Sequence, residues 1–104
     1  MSESDAPGAV QLPHLFSPLS IGPVTLRNRI VSAGHTTNMP TDGTINDAMV
    51  AYHEARAAGG TGLIVVQSAI VHESAGRSAR IPMAIDDSCL PGYRRLADAC
   101  HAHG

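Results

Sequence analysis

Two short clusters in this chain of 104 residues have the types and spacing that chemistry asks for. Ala33-Gly34-His35-Thr36, followed by Thr37, comes directly after the apolar Ile30-Val31. Gln67-Ser68 comes directly after the continuous apolar run Leu63-Ile64-Val65-Val66. In each, apolar residues that belong to packing run into small and polar ones. Ala33 and Gly34 let a flat ligand approach the main chain, while His35, Thr36, Thr37, Gln67 and Ser68 bring donors and acceptors. That is chemistry of binding and orientation at the C-terminal ends of strands. No catalytic residue and no metal ligand is assigned.

The other reactive side chains carry less. Arg77 and Arg80 have the charge to attract an anion, but a solvated loop accounts for them. His101 and His103 stand two apart on a helical stretch, on different faces, and are no ligand pair. His14 and His72 are isolated. Tyr52 and Tyr93 read as packing residues. Cys89 and Cys100 match no zinc or redox spacing and read as free thiols of a reducing compartment. The chain contains no Gly-x-Gly-x-x-Gly, so Gly62 opens no dinucleotide fingerprint.

The elements that must position the two clusters follow from periodicity. Residues 1–14 show none and are expected to be a disordered lead-in. Leu19, Ile21, Val24 and Leu26 alternate with polar or small neighbours around Gly22-Pro23, which predicts a hairpin with one apolar face. A lone hairpin is marginal, so it must lie on something larger. A strand over Ile30–Ala33 leads into the first cluster. Pro40, Asp42 and Gly43 break the chain, and Thr44 or Asn46 is placed to cap a helix. That helix is expected over Asp47–Ala58, with Ala48, Ala51, Tyr52 and Ala55 on its packing face. Gly59-Gly60 stops it in the left-handed conformation. The run Gly62–Gln67 predicts a strand covered on both faces, as in a parallel sheet. Residues 70–88 read as a long polar loop at the same mouth. A second helix begins at Cys89, with Pro91 in its first turn, with Tyr93, Leu96, Ala97 and Cys100 on one face, and Gly104 as its stop. Strand, helix, strand, helix with short connections is an α/β pattern.

Composition excludes several classes. The net charge is −2, which argues against a basic nucleic-acid binder. One Phe, two Tyr and no Trp offer bases no stacking platform. Charged residues are 15% of the chain, below the roughly 25% of an average soluble domain, so much of it is meant to be buried. Met1–Gly8 has neither a basic nor an apolar region and reads as no signal peptide. Leu63–Val66 is the longest apolar run and is far too short to span a membrane. A cytoplasmic chain is expected.

Several stretches, in order, carry a resemblance. Leu15-Phe16-Ser17-Pro18-Leu19-Ser20-Ile21-Gly22 and Leu26-Arg27-Asn28-Arg29-Ile30-Val31 resemble the opening of the old yellow enzyme or NADH:flavin oxidoreductase family. Tyr52-His53-Glu54-Ala55-Arg56-Ala57-Ala58-Gly59-Gly60-Thr61-Gly62-Leu63-Ile64 is similar to its first helix and second strand. Gly76-Arg77 and Tyr93-Arg94-Arg95-Leu96-Ala97-Asp98-Ala99-Cys100-His101 follow the pattern too. The resemblance covers residues 15–104 and implies the N-terminal part of a (β/α)8 TIM barrel, hairpin then β-α-β-α, with the barrel incomplete.

The resemblance implies FMN at the C-terminal mouth and NAD(P)H as reductant. Ala33, Gly34, His35 and Thr36 would border the flavin after the first barrel strand, and Gln67 and Ser68 after the second, much of this through backbone groups. Thr36 takes the position near a flavin carbonyl that tunes its electronics. Some relatives have there a cysteine bonded to the flavin; Thr36 cannot form that link, so FMN would be non-covalent. Gly34-His35 leans toward the trimethylamine dehydrogenase and 2,4-dienoyl-CoA reductase branch. Longer relatives there add an iron–sulfur cluster and a second dinucleotide-binding region, expected only if a longer parent chain exists. The implied activity is hydride transfer from NAD(P)H through FMN to an activated alkene such as an enone or enoyl thioester. The alternatives are an amine-oxidising relative and a non-catalytic truncated piece without phosphate and substrate residues. Such a piece would associate, as a homo-oligomer or otherwise, through the open strand edge Leu63–Val66. The chain alone is expected to be inactive and marginally stable.

Overall fold

The computed structural model describes residues 11–76 and 78–104. Most of the expected lead-in, residues 1–10, lies outside the described residues, and so does Arg77. The hairpin is formed by β1 (Leu19–Ile21) and β2 (Val24–Leu26), antiparallel, with Leu19 opposite Leu26 and Ile21 opposite Val24. Gly22 takes φ +57° at its turn, a conformation that costs glycine no steric clash. Its apolar face is covered only at one end: Leu26 is buried, while Ile21 and Val24 stay exposed.

β3 (Val31–Ser32) and β4 (Leu63–Ile64) pair in parallel, Val31 with Leu63 and Ser32 with Ile64. Both are shorter than the sequence predicts. Each has a single neighbour, so the ladder forms on one edge only; backbone bonds from Gly62 and Leu63 to the Ile30 carbonyl and from Val65 to Ser32 extend it slightly. Nor are both faces covered, since Val31 and Val65 are exposed.

α1 spans Asp47–Ala58, as its sequence predicts. Of the two expected caps Asn46 serves, its side chain accepting from the Met49 N–H at 3.0 Å. The packing face is not the predicted one. Ala48, Ala51 and Ala55 point outward, and Met49, His53 and Ala57, four residues apart, are buried. Met49 fills more space than an alanine can, and it joins Ile45 and Leu96 in the core. Gly59 keeps a right-handed φ of −74°, and Gly60 alone takes the positive φ, +110°. α2 spans Leu90–His101 and buries Leu96, with Tyr93, Ala97 and Cys100 half-buried beside it. Both cysteines are free.

Arg27-Asn28-Arg29 holds these layers together. Arg27 donates to the carbonyls of Ala57 at 2.5 Å, Thr61 at 3.2 Å and His103. A cation there satisfies carbonyls at the C-terminal ends of both helices. Asn28, 2% exposed, donates to the Gly60 carbonyl at 2.6 Å and accepts from the Ile30 N–H at 3.0 Å. Arg29 reaches back to Ser17 and Pro18 ahead of the hairpin. Residues 70–76 and 78–88 carry more structure than a polar loop. Ile70 and Met83 form a parallel bridge, Ile70 and Pro82 are buried, and short 3-10 turns occupy Glu73–Ala75 and Asp87–Cys89. Among the described residues no helix is long and apolar enough to cross a membrane.

Candidate functional site

Parallel pairing in register puts the C-terminal ends of β3 and β4 side by side, and with them both sequence clusters. A Cβ on Gly34 would stand 3.3 Å from Val65 Cγ1 and 3.5 Å from the Val66 carbonyl. The missing side chain is therefore accounted for by close approach of the next strand. Ala33, Gly34, His35 and Thr36 are all exposed, as is Ser68; Gln67 is buried. The result is a small-residue ledge open on one side, backed by one buried amide.

Thr37 ties the ledge down. Its N–H and hydroxyl both donate to Gln67 Oε1, at 3.1 and 2.7 Å. A backbone N–H can only donate, so the amide oxygen must face Thr37 and Nε2 must face away. Gln67 is 6% exposed, and its Nε2 has no hydrogen-bond partner. Buried donors are almost always satisfied, so an orphaned one calls for an explanation such as a ligand.

The loops behind the ledge are stitched together. Asp42 and Gly43, at φ +52° and +73°, make a tight turn closed by mutual bonds of Thr41 and Thr44. Gly43 donates to the Ala79 carbonyl at 2.9 Å and accepts from the Met83 N–H at 2.8 Å. Arg80 donates to the Asn38 carbonyl at 2.9 Å. It thus bridges the two loops instead of standing free in solvent.

His35 is held at both nitrogens, Nδ1 2.7 Å from the Ala33 carbonyl and Nε2 2.5 Å from the Tyr52 hydroxyl. Tyr52 is thus more than packing. The Arg56 guanidinium lies 3.5 Å from its ring centroid, a favourable cation–π placement. His53 packs edge-on against the same ring at 5.1 Å. Burial is the first cause that lowers the pKa of His53, followed by the charges of His35 and Arg56. From sequence Thr37 reads as a polar group at the mouth and Tyr52 as packing; their bonds to Gln67 and His35 come from the fold. The Tyr52–Arg56 spacing of four, which stacks side chains along a helix, was the available signal for Tyr52.

No group of three or more potential metal ligands occurs among the described residues. A groove of about 690 Å³ lies away from the ledge, between the hairpin, β4 and α2. Leu26, Leu63, Ile64, Leu96 and Ala97 line it, and none of the six candidate residues does.

The model of the NADH:flavin oxidoreductase / NADH oxidase family matches residues 14–104. Over 92 residues the chain is 39% identical to a 4,4'-dithiodibutanoate disulfide reductase from Rhodococcus erythropolis, covering 88% of this chain and 23% of that protein. It superposes on 2-naphthoyl-CoA reductase, in complex with 2-naphthoyl-CoA, with a TM-score of 0.81 at 31% identity, over 88% of this chain and 14% of the other. On the old yellow enzyme from Trypanosoma cruzi the TM-score is 0.77 at 30% identity, over 88% and 25%. The chain thus spans between a seventh and a quarter of these relatives' length, and its fold is the N-terminal part of their (β/α)8 barrel.

Proposed function

Because the chain belongs to the NADH:flavin oxidoreductase / NADH oxidase family, we propose that it supplies the first two staves of the FMN site of an NAD(P)H-dependent oxidoreductase. Ala33, Gly34, His35 and Thr36 after β3, with Gln67 and Ser68 after β4, would hold one edge of the flavin ring. The observation that carries this reading is the buried Gln67 Nε2 without a partner, its oxygen already taken by Thr37. A flavin pyrimidine edge, rich in carbonyl oxygens, is an acceptor of the kind this donor lacks. The exposed small residues of the ledge leave room for a flat ring beside it.

When bound, FMN supplies hydride transfer, from NAD(P)H to an electron-poor carbon such as that of an enone or enoyl thioester. The chain's own residues bind and orient: Thr37 fixes Gln67 as a donor, and Thr36 offers an exposed hydroxyl to the ring. The free edge of β4 and the apolar groove beside it suit a further strand, in this or another chain. The two free thiols suit a reducing compartment, and the enzyme is read as cytoplasmic on that ground.

The test is FMN titration of the ¹⁵N-labelled chain, followed by amide shifts. At millimolar FMN the expected result is perturbation confined to residues 33–36 and 67–68. Gln67→Leu abolishes it, and the chain alone turns over no NADPH. Perturbations centred on the groove between β4 and α2, or none at the ledge, would overturn the reading.

A further inference from the structure

The arrangement of His35 on Tyr52 carries an inference of its own. The Ala33 carbonyl, 2.7 Å from His35 Nδ1, can only accept, so Nδ1 bears the proton. In a neutral imidazole the lone pair is then on Nε2, and the Tyr52 hydroxyl, 2.5 Å away, must donate to it. Tyr52 is itself fixed. Arg56 lies over its ring and donates to its carbonyl at 2.7 Å, and His53 packs against the ring from the buried face of α1.

We propose that Tyr52 is the positioning residue of the mouth: the Ala33 carbonyl sets the Nδ1–H tautomer of His35 and the Tyr52 hydroxyl, donating to Nε2, fixes the ring in place, so that His35 meets a ligand with its carbon edge and face and offers it no N–H. A locked imidazole of this kind is a shaped wall for a flat ring. It leaves hydrogen bonding to Gln67 and Thr36 and selects against ligands that need a donor beside Gly34. That consequence for the ligand rests on the flavin reading above; the tautomer itself does not.

The experiment is a long-range ¹H–¹⁵N correlation of the histidine rings at pH 8, where imidazoles are neutral. The His35 signals are assigned by their loss in His35→Gln. Wild type is expected to show a protonated Nδ1 and an unprotonated Nε2 at His35. Tyr52→Phe keeps the ring under Arg56 and removes only the hydroxyl. It is expected to keep the proton on Nδ1, where the Ala33 carbonyl accepts it, and to shift the His35 Nε2 resonance, which has lost its donor. An Nε2–H pattern at His35 in wild type, or an unshifted Nε2 resonance in a folded Tyr52→Phe chain, overturns the proposal. If Tyr52→Phe does not fold, the wild-type pattern alone decides. Neither arm contains flavin, so a failed FMN titration and a failed tautomer lock are told apart.

Discussion

One oxygen atom of Gln67 accepts both polar hydrogens that Thr37 can offer, the backbone N–H at 3.1 Å and the hydroxyl at 2.7 Å. The Thr37 hydroxyl in turn accepts from the Met39 N–H at 3.3 Å. The first mouth loop is thereby pinned to the end of β4. Thr37→Val keeps the shape and the backbone bond but deletes the hydroxyl. It is expected to cost about 1–2 kcal/mol, the usual worth of such bonds in part-buried surroundings. Urea unfolding should show a lower midpoint with an unchanged slope; an unchanged midpoint would remove Thr37 from the clamp.

Gly62 and Gly59 make a matched pair. A Cβ on Gly62 would lie 2.4 Å from Asn28 Oδ1 and 2.6 Å from its carbonyl oxygen. Asn28 cannot move away without breaking its bonds to Gly60 and Ile30. Gly62→Ala is therefore expected to destabilise by more than about 3 kcal/mol, from overpacking against a buried polar network. At Gly59 φ is −74°, and a Cβ meets nothing nearer than the Ala55 carbonyl at 3.4 Å. Gly59→Ala should change stability by under about 1 kcal/mol, with a gain the favoured sign. Equal losses in the two variants would contradict this packing account.

Asn46 works at both ends of its amide. Its oxygen caps α1 at Met49, and its Nδ2 donates to the Met39 carbonyl at 2.6 Å and Thr41 Oγ1 at 2.8 Å. Asn46→Ala should cost about 1–2 kcal/mol, and Asn46→Asp, which keeps the cap, less than that. Thermal melts of the two variants make the comparison. The idea fails if aspartate does no better than alanine.

His53 is 1% exposed, and neither ring nitrogen has a partner. Burial, then the charges of His35 and Arg56, hold its pKa below 6.5. Between the unfolded and folded values the unfolded chain binds the extra proton, so stability falls as pH falls. The contribution is fully present above about pH 7.5 and lost from about pH 6.5 downward through the folded pKa. Urea midpoints at pH 5.5 and 7.5 should therefore differ, with the lower value at pH 5.5. His53→Leu should shrink that difference, and a slope identical to wild type would show that another group is responsible.

Local signals settled much of this molecule. The limits of α1 follow from Asn46, a helical run and Gly59-Gly60, all of them neighbours in the chain. The hairpin follows from alternation around Gly22-Pro23, and the two mouth clusters from apolar runs that end in small and polar residues. Parallel pairing of β3 and β4 was legible because a twelve-residue helix with short connections leaves few other ways to join two strands.

The sequence by itself thus determined the order of elements, the family and the end of the sheet at which the two small-residue clusters meet, because periodicity and turn chemistry act over a few residues. Only the tertiary structure decided which face of α1 is buried, since helical spacing permits an alanine face as readily as one of Met49, His53 and Ala57. It alone also joined Thr37 to Gln67 across 30 positions and His35 to Tyr52 across 17. Hydrogen bonds at these lengths depend on where folded elements bring single atoms, and no local pattern encodes that meeting.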